Sequence, residues 1–171
     1  MDIASLLLET YGRIPPLAAG AVEGLDREQL CWAPAGDANT IAWLIWHLTR
    51  VQDLHVSELV GTEQLWVSGD WARRCGLDPD PSNTGYGHGP DEVQAVRPEG
   101  AEVLLGYLDV VDARTSEMLR GLAAEDLDRI VDRRWDPPVT LGVRLVSIAD
   151  DCLQHVGQAA YVRGLLDGGA H

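Results

Sequence analysis

Lysine and phenylalanine are absent from this 171-residue sequence, and cysteine occurs only three times. Without lysine, all 13 cationic residues are arginine, set against 27 carboxylates for a formal net charge of -14. Phosphate recognition needs clustered basic residues, and no basic face is evident, so nucleic acid is not an expected partner. The negative charge is spread along the chain without an acidic tail, which favours solubility and marks no docking block. Cys31, Cys75 and Cys152 are an odd number at wide spacing and suit neither a disulfide framework nor a CxxC metal knuckle. Although 46% of the residues are hydrophobic, no run approaches the roughly 18 consecutive apolar residues of a membrane span. The opening MDIASLLLETYGRIPP lacks a basic n-region and carries Glu9 among its apolar residues, so it reads as a helix and not as a signal peptide. A cytoplasmic protein is the expectation. Arginine in place of lysine, with no phenylalanine, is the bias of GC-rich codon usage and points to a GC-rich bacterial source.

The length fits one domain spanning residues 1-171, with one substantial core. Apolar residues at Ile3, Leu6, Leu7, Ile14 and Leu17 share a helix face from about Ile3 to Gly20, with Pro15 and Pro16 predicting an end or kink near Ile14. A short turn follows at LDREQL, where Asp26 can cap. The second long helix, capped by Asn39 or Thr40, is predicted to run through IAWLIWHLTRVQDLHVSELVG to Gly61, with Trp43, Leu44, Trp46, Leu48 and Val51 crowding its inner face. The Gly-, Pro- and Asp-rich stretch from Gly61 to Pro98 shows little periodicity, and a connection of that length is usually functional or carries short helices of its own. A third helix is predicted from Pro98, with Glu99 and Glu102 in its first turn, to Gly121. The last begins near Thr140 and closes at Gly168 and Gly169. Four long helices imply an all-α bundle, and a connection of roughly 40 residues can return the chain along its whole length and make the second and third helices parallel.

His47 lies mid-helix between Trp43, Trp46, Leu48 and Val51 and points partly toward the core; alone, it reads as a buried histidine satisfied by a hydrogen bond. Asp151 and His155 are four apart on the last helix and therefore share a face, at the margin of an apolar stripe formed by Leu145, Ile148, Cys152 and Val156. A carboxylate and an imidazole there must pair or bind a cation. One reading is a hydrogen-bonded pair at the end of the bundle. The other is two ligands of a metal whose third ligand comes from another helix, and two histidines with one carboxylate suit Zn(II), Ni(II), Fe(II) or Mn(II).

Trp46, Asp53 and Gln158 are further candidates beside a metal or substrate. Asp53 reads more simply as an exposed charge, and Gln158 as a buried amide bonded to the neighbouring helix. Asp150 points away from His155 and is expected to support a ligand or face solvent; His55 is expected to be solvated or part of the core. His88, in YGHG, can bend over the metal or be a plain turn residue. Trp66, Trp71 and Trp135 fall in connections, where they can line an apolar pocket, and Arg133 and Arg134 can bind a substrate carboxylate or be solvated surface.

WLIWHLTRVQD together with DDCLQHVGQAAYVRGLL resembles the DinB-like (YfiT-like) superfamily, which includes bacillithiol transferases and mycothiol-dependent maleylpyruvate isomerases. WHLTRVQDLH, YGHG, WDPPVTLGVRLVSI and QHVGQAAYVRGLL look like an actinobacterial branch of unassigned function. The resemblance covers nearly the whole chain and implies an up-down-down-up four-helix bundle. It also implies a metal held by a histidine of the second helix and by both ends of an HxxxH pattern on the last. His47 and His155 match those positions, while Asp151 stands in place of the first histidine of the pattern.

From this resemblance and ligand set follow several readings. One is a divalent-metal-dependent thiol S-transferase or isomerase, with zinc as the first metal and mycothiol as the thiol, acting on a small-molecule substrate. The alternatives are a metal-dependent hydrolase, a non-enzymatic metal or small-molecule binder, and a plain bundle whose aromatic faces make a homodimer. No Ser-His-Asp arrangement or phosphate loop is visible to favour the hydrolase.

Overall fold

The computed structural model describes residues 1-168. Helix α1 (Ile3–Tyr11) starts at Asp2, whose carboxylate accepts from the Ser5 amide at 2.8 Å. It stops before Gly12, and α2 (Ile14–Val22) restarts with Pro15 and Pro16 in its first turn, where the missing amide hydrogens have no intrahelical role. The expected kink is therefore a break, and the helix continues two residues past Gly20. Asp26 caps the single turn α3 (Arg27–Leu30) in a reciprocal capping box with Gln29.

Thr40 caps α4 (Ile41–Val60) by accepting from the Trp43 amide at 3.0 Å, and Gly61, at φ 72°, ends it in the left-handed conformation. Every residue from Ile41 to Arg50 is buried. Two faces pack on neighbouring helices, and a third lies under the long connection. That connection carries three short helices, α5 (Leu65–Ser68), α6 (Trp71–Arg74) and α7 (Pro90–Ala95).

Helix α8 (Ala101–Arg120) begins three residues later than Pro98. The backbone just before it pairs with the end of α6 instead: the Arg97 amide donates to the Cys75 carbonyl and the Glu99 amide to the Arg74 carbonyl, both at 2.9 Å. The Glu99 carboxylate bonds Arg74 at 3.0 Å. Only Glu102 of the two expected acids lies in the first helical turn. Between α8 and α9 (Leu141–Gly168), a 3₁₀ turn at Ala124–Asp128 leads into a two-stranded antiparallel ribbon, β1 (Ile130–Asp132) with β2 (Val139–Thr140). The all-α expectation holds for the bundle and lacked this ribbon. Thr140 sits just before α9, as expected; Gly169 lies outside the described residues.

Helix α4 packs on α8 and α9, and α1 and α2 pack on the same two helices from the opposite side. Hydrogen bonds give the directions. Arg50 with Tyr107 and Gln52 with Thr115 advance together along α4 and α8, so these two run parallel. The Cys152 thiol bonds the Leu48 carbonyl while Arg144 reaches His55, so α9 runs against α4. Tyr11 bonds the Leu145 carbonyl and Arg163 the Ala21 and Glu23 carbonyls, which places α1 and α2 parallel to α9. The result is an up-down-down-up bundle. No helix among the described residues is long and apolar enough to cross a membrane.

Candidate metal centre

The antiparallel seam of α4 and α9 brings His47 against Asp151 and His155, with one ligand atom from each lying within 4.8 Å of the others. His47 Nε2 is 4.0 Å from Asp151 Oδ2, and the two imidazole centroids are 4.6 Å apart, edge to face. A metal with tetrahedral ligands at about 2.1 Å separates them by roughly 3.4 Å. Closing the trio onto an ion thus requires small side-chain movements within an existing cluster.

Backbone carbonyls orient both imidazoles. His47 Nδ1 bonds the Thr84 carbonyl and His155 Nδ1 bonds the Asp151 carbonyl at 2.8 Å. A carbonyl only accepts, so each Nδ1 carries the hydrogen and each Nε2 keeps its lone pair. This is the outer-shell pattern that fixes a metal-binding histidine. Asp151 Oδ2 is buried and has no hydrogen-bond partner among the described residues, a state that a cation would relieve. The donor set and the orphaned oxygen therefore fit a divalent metal.

A stripe at positions 43, 46, 47, 50 and 53, repeating at helical spacing, faces the long connection. Trp43 stacks on His47 with centroids 4.6 Å apart and donates its indole hydrogen to His88 Nδ1 at 3.2 Å. His88 Nε2 in turn donates to Asn83 Oδ1 at 3.0 Å and the ring stacks on Trp46. Both His88 nitrogens are thus engaged, and it braces Trp43 instead of bending over the metal. Gly85, at φ 93°, lies so close that an added Cβ would sit 2.8 Å from Trp46 and 2.9 Å from His47 Nδ1. Arg50 is fully buried and donates to the carbonyls of Pro81 and Asn83 at 3.1 and 3.0 Å. The loop that orients His47 is itself pinned by Arg50, one helical turn along.

Several expectations need correction. Asp53 is neither exposed nor beside the ligands: it is fully buried, and it accepts from the amides of Leu65 and Trp66, from Ser57, and from Tyr107 at 2.6 Å. Trp46 is fully buried behind His47, with its edge against Trp66, which leaves no surface for substrate. Gln158 is exposed and not a buried amide. Asp150 faces solvent, one of its two expected places, and accepts from Gln154 at 2.7 Å. Trp66 is buried under Arg50 and Trp71 stacks on Tyr107, so neither lines a pocket by the ligands. Arg50, Tyr107, Asn83, Thr84 and Gly85 carry the support of the site and were not anticipated. The signal for Arg50 was its place, one turn beyond His47 on the same face.

Burial is the largest influence on both His47 and His55, and it pushes each below the ordinary imidazole value; at His55 the Arg144 guanidinium adds to it. A neutral His47 is the form that ligates. Because the unfolded chain binds these protons more readily than the folded one, stability is full above the ordinary value near 6.5 and is lost as pH falls through it. The metal-free protein is accordingly expected to melt at progressively lower temperature from pH 7.5 to pH 5, and His55→Gln to flatten part of that slope. Parallel slopes for the two proteins in a thermal-melt series would contradict the assignment.

Residues 13–159 match the DinB superfamily. A solved structure, a conserved protein from Enterococcus faecalis, superposes with a TM-score of 0.89 at 33% identity, covering 98% of this chain and 99% of that one. Among curated proteins, none matches this chain. The match over most of the sequence, with a solved relative alike over its full length, places the chain in the DinB superfamily.

Proposed function

We propose that this protein is a metal-dependent enzyme of small-molecule thiol chemistry, an S-transferase or isomerase, in which His47, Asp151 and His155 hold a divalent transition metal, zinc first. The observation that carries the reading is the gathering of two carbonyl-held imidazoles around a buried carboxylate oxygen that has no hydrogen-bond partner among the described residues, with His47 Nε2 4.0 Å and His155 Nδ1 3.5 Å from it. When bound, such a metal with three protein ligands supplies an open Lewis-acid position, which favours a thiolate over a thiol or polarises a carbonyl oxygen. The chain's own groups do the positioning. The carbonyls of Thr84 and Asp151 hold the two rings in the ligating tautomer, and Trp43, stacked on His47, shields one side of the site from water. The thiol proposed is mycothiol, on the sequence resemblance to mycothiol-dependent isomerases.

The test is elemental analysis of purified protein beside His47→Ala, Asp151→Ala and His155→Ala variants shown to be folded by circular dichroism. About one metal per chain is expected in the parent and little in each variant. Metal at a hundredfold excess over its Kd is expected to stabilise the parent by about 2.7 kcal/mol, a rise in Tm of roughly 5–10 °C at this chain length. Metal-loaded protein is then expected to consume thiol in the presence of an electrophile. A parent that takes up no metal after reconstitution overturns the centre. Turnover of an ester or amide without thiol would replace the transferase with a hydrolase.

A further inference from the structure

A cavity of about 430 Å³ opens on the same α4–α9 seam, beyond the metal ligands, between the second half of α4, β1 and the start of α9. Four of the chain's 13 arginines line it: Arg129, Arg133, Arg134 and Arg144. Buried Asp132 takes two of them, accepting from Arg134 Nε and Nη2 and from Arg144 Nη2, each at 2.9 Å. Arg144 is fixed further by its Nη1 bond to His55 Nε2 at 3.3 Å. No carboxylate lies within 4.0 Å of the guanidinium groups of Arg129 and Arg133 among the described residues, whereas Arg134 and Arg144 are already paired. Glu58, bonded to His55 Nδ1 at 3.3 Å, also lines the cavity, so four guanidinium groups face two carboxylates and the balance stays cationic in a chain of net charge -14. An adjoining hollow adds Trp135, which is exposed at its mouth.

We propose that this cavity binds a carboxylate of a small-molecule ligand. Guanidinium forks match a carboxylate in two-point contact, and the volume is that of a small-molecule site. The buried Asp132 holds Arg144 at the floor and the exposed Arg134 at the rim, and Arg129 and Arg133 supply guanidinium groups that no carboxylate pairs among the described residues. His55 follows His47 by eight residues on α4, and Arg144 precedes Asp151 by seven on α9. At 1.5 Å per residue the cavity lies about 10–12 Å along the seam from the metal ligands. One elongated carboxylate can therefore occupy both places, its reacting end at the ligands and its acid in the arginine cavity. That second statement rests on the proposed metal centre; carboxylate binding does not.

The experiment is an NMR titration of the full-length, metal-free protein at low salt with glutarate, neutral glutaramide and inorganic phosphate, following the Trp135 indole and arginine side-chain resonances. Glutarate is expected to give saturable shifts and glutaramide none, with affinity falling about tenfold in the double variant Arg129→Gln, Arg133→Gln. Neither side chain supports the fold, so the variant is expected to melt like the parent. Equal binding of glutaramide, or an unchanged affinity in the double variant, overturns the proposal, and so does saturation by phosphate alone. His47→Ala is expected to keep glutarate binding while losing metal, which separates failure of this inference from failure of the metal centre.

Discussion

Asp53→Ala is expected to lower the free energy of unfolding by about 3–5 kcal/mol, the range for stripping one partner from a buried ion pair. The carboxylate is fully buried and accepts from four donors, and it is also the counter-charge 3.6 Å from the buried Arg50 and 3.8 Å from Arg114. Alanine would leave the buried Arg50 guanidinium, which lies over Trp66, without its carboxylate, and it would orphan the two amides that open α5. At roughly 2–4 °C per kcal/mol for a chain of this size, Tm should fall by roughly 10 °C. Asp53→Asn keeps an acceptor but not the charge, and it should fall between the two. Urea unfolding with m-values measures this directly; a loss below about 1 kcal/mol would mean that Arg50 finds its compensation elsewhere. The effect should reach the metal centre as well, since Arg50 holds Pro81 and Asn83 and so positions Thr84 against His47.

The difference between the expected and observed roles of Asp53 shows what local pattern can reveal. Asp151 and His155 were legible because four residues on a helix share a face, a relation that needs no tertiary information. Joining His47 to them needs the antiparallel seam, which family resemblance supplied and spacing alone did not. Beyond Arg50 and Ser57 on its own helix, the partners that bury Asp53 are a phenol on α8 and two amides twelve and thirteen residues on, in a stretch without periodicity, so the default of an exposed carboxylate prevailed over a burial the sequence does not display. Pro98 was a sound helix start by local rules, yet the pairing of Arg97 and Glu99 with the end of α6 claimed those residues first. The ribbon of β1 and β2 is too short for an alternating pattern to register. The arginine cavity combines groups from α9 and the segment before it with His55 of α4; of its four arginines only Arg133 and Arg134 were singled out beforehand, from their place beside Trp135.

Gly85→Ala should damage the metal centre without touching a ligand. The added methyl would meet three atoms at once, Trp46 Cζ3 at 2.8 Å, His47 Nδ1 at 2.9 Å and Trp43 Cζ2 at 3.1 Å, at a φ of 93° that side chains rarely adopt. All three neighbours are held in the buried face of α4, so the loop must give way, and Thr84 must move with it. His47 then loses the carbonyl that fixes its tautomer and ring plane. Loss of such an outer partner typically weakens metal affinity by about 10–100-fold, and the strain and overpacking should cost stability on the order of 2–4 kcal/mol. Gly87→Ala is the matched control. Gly87 has a φ of 78° in the same loop, but no atom would lie within 4 Å of its Cβ, so only backbone strain of about 1–2 kcal/mol is incurred. Competition with a chromogenic chelator gives both affinities. If the loop orients His47, metal affinity falls in the Gly85 variant and stays near the parent value in the Gly87 variant; equal losses would show that general destabilisation, not the contact with His47, sets the affinity.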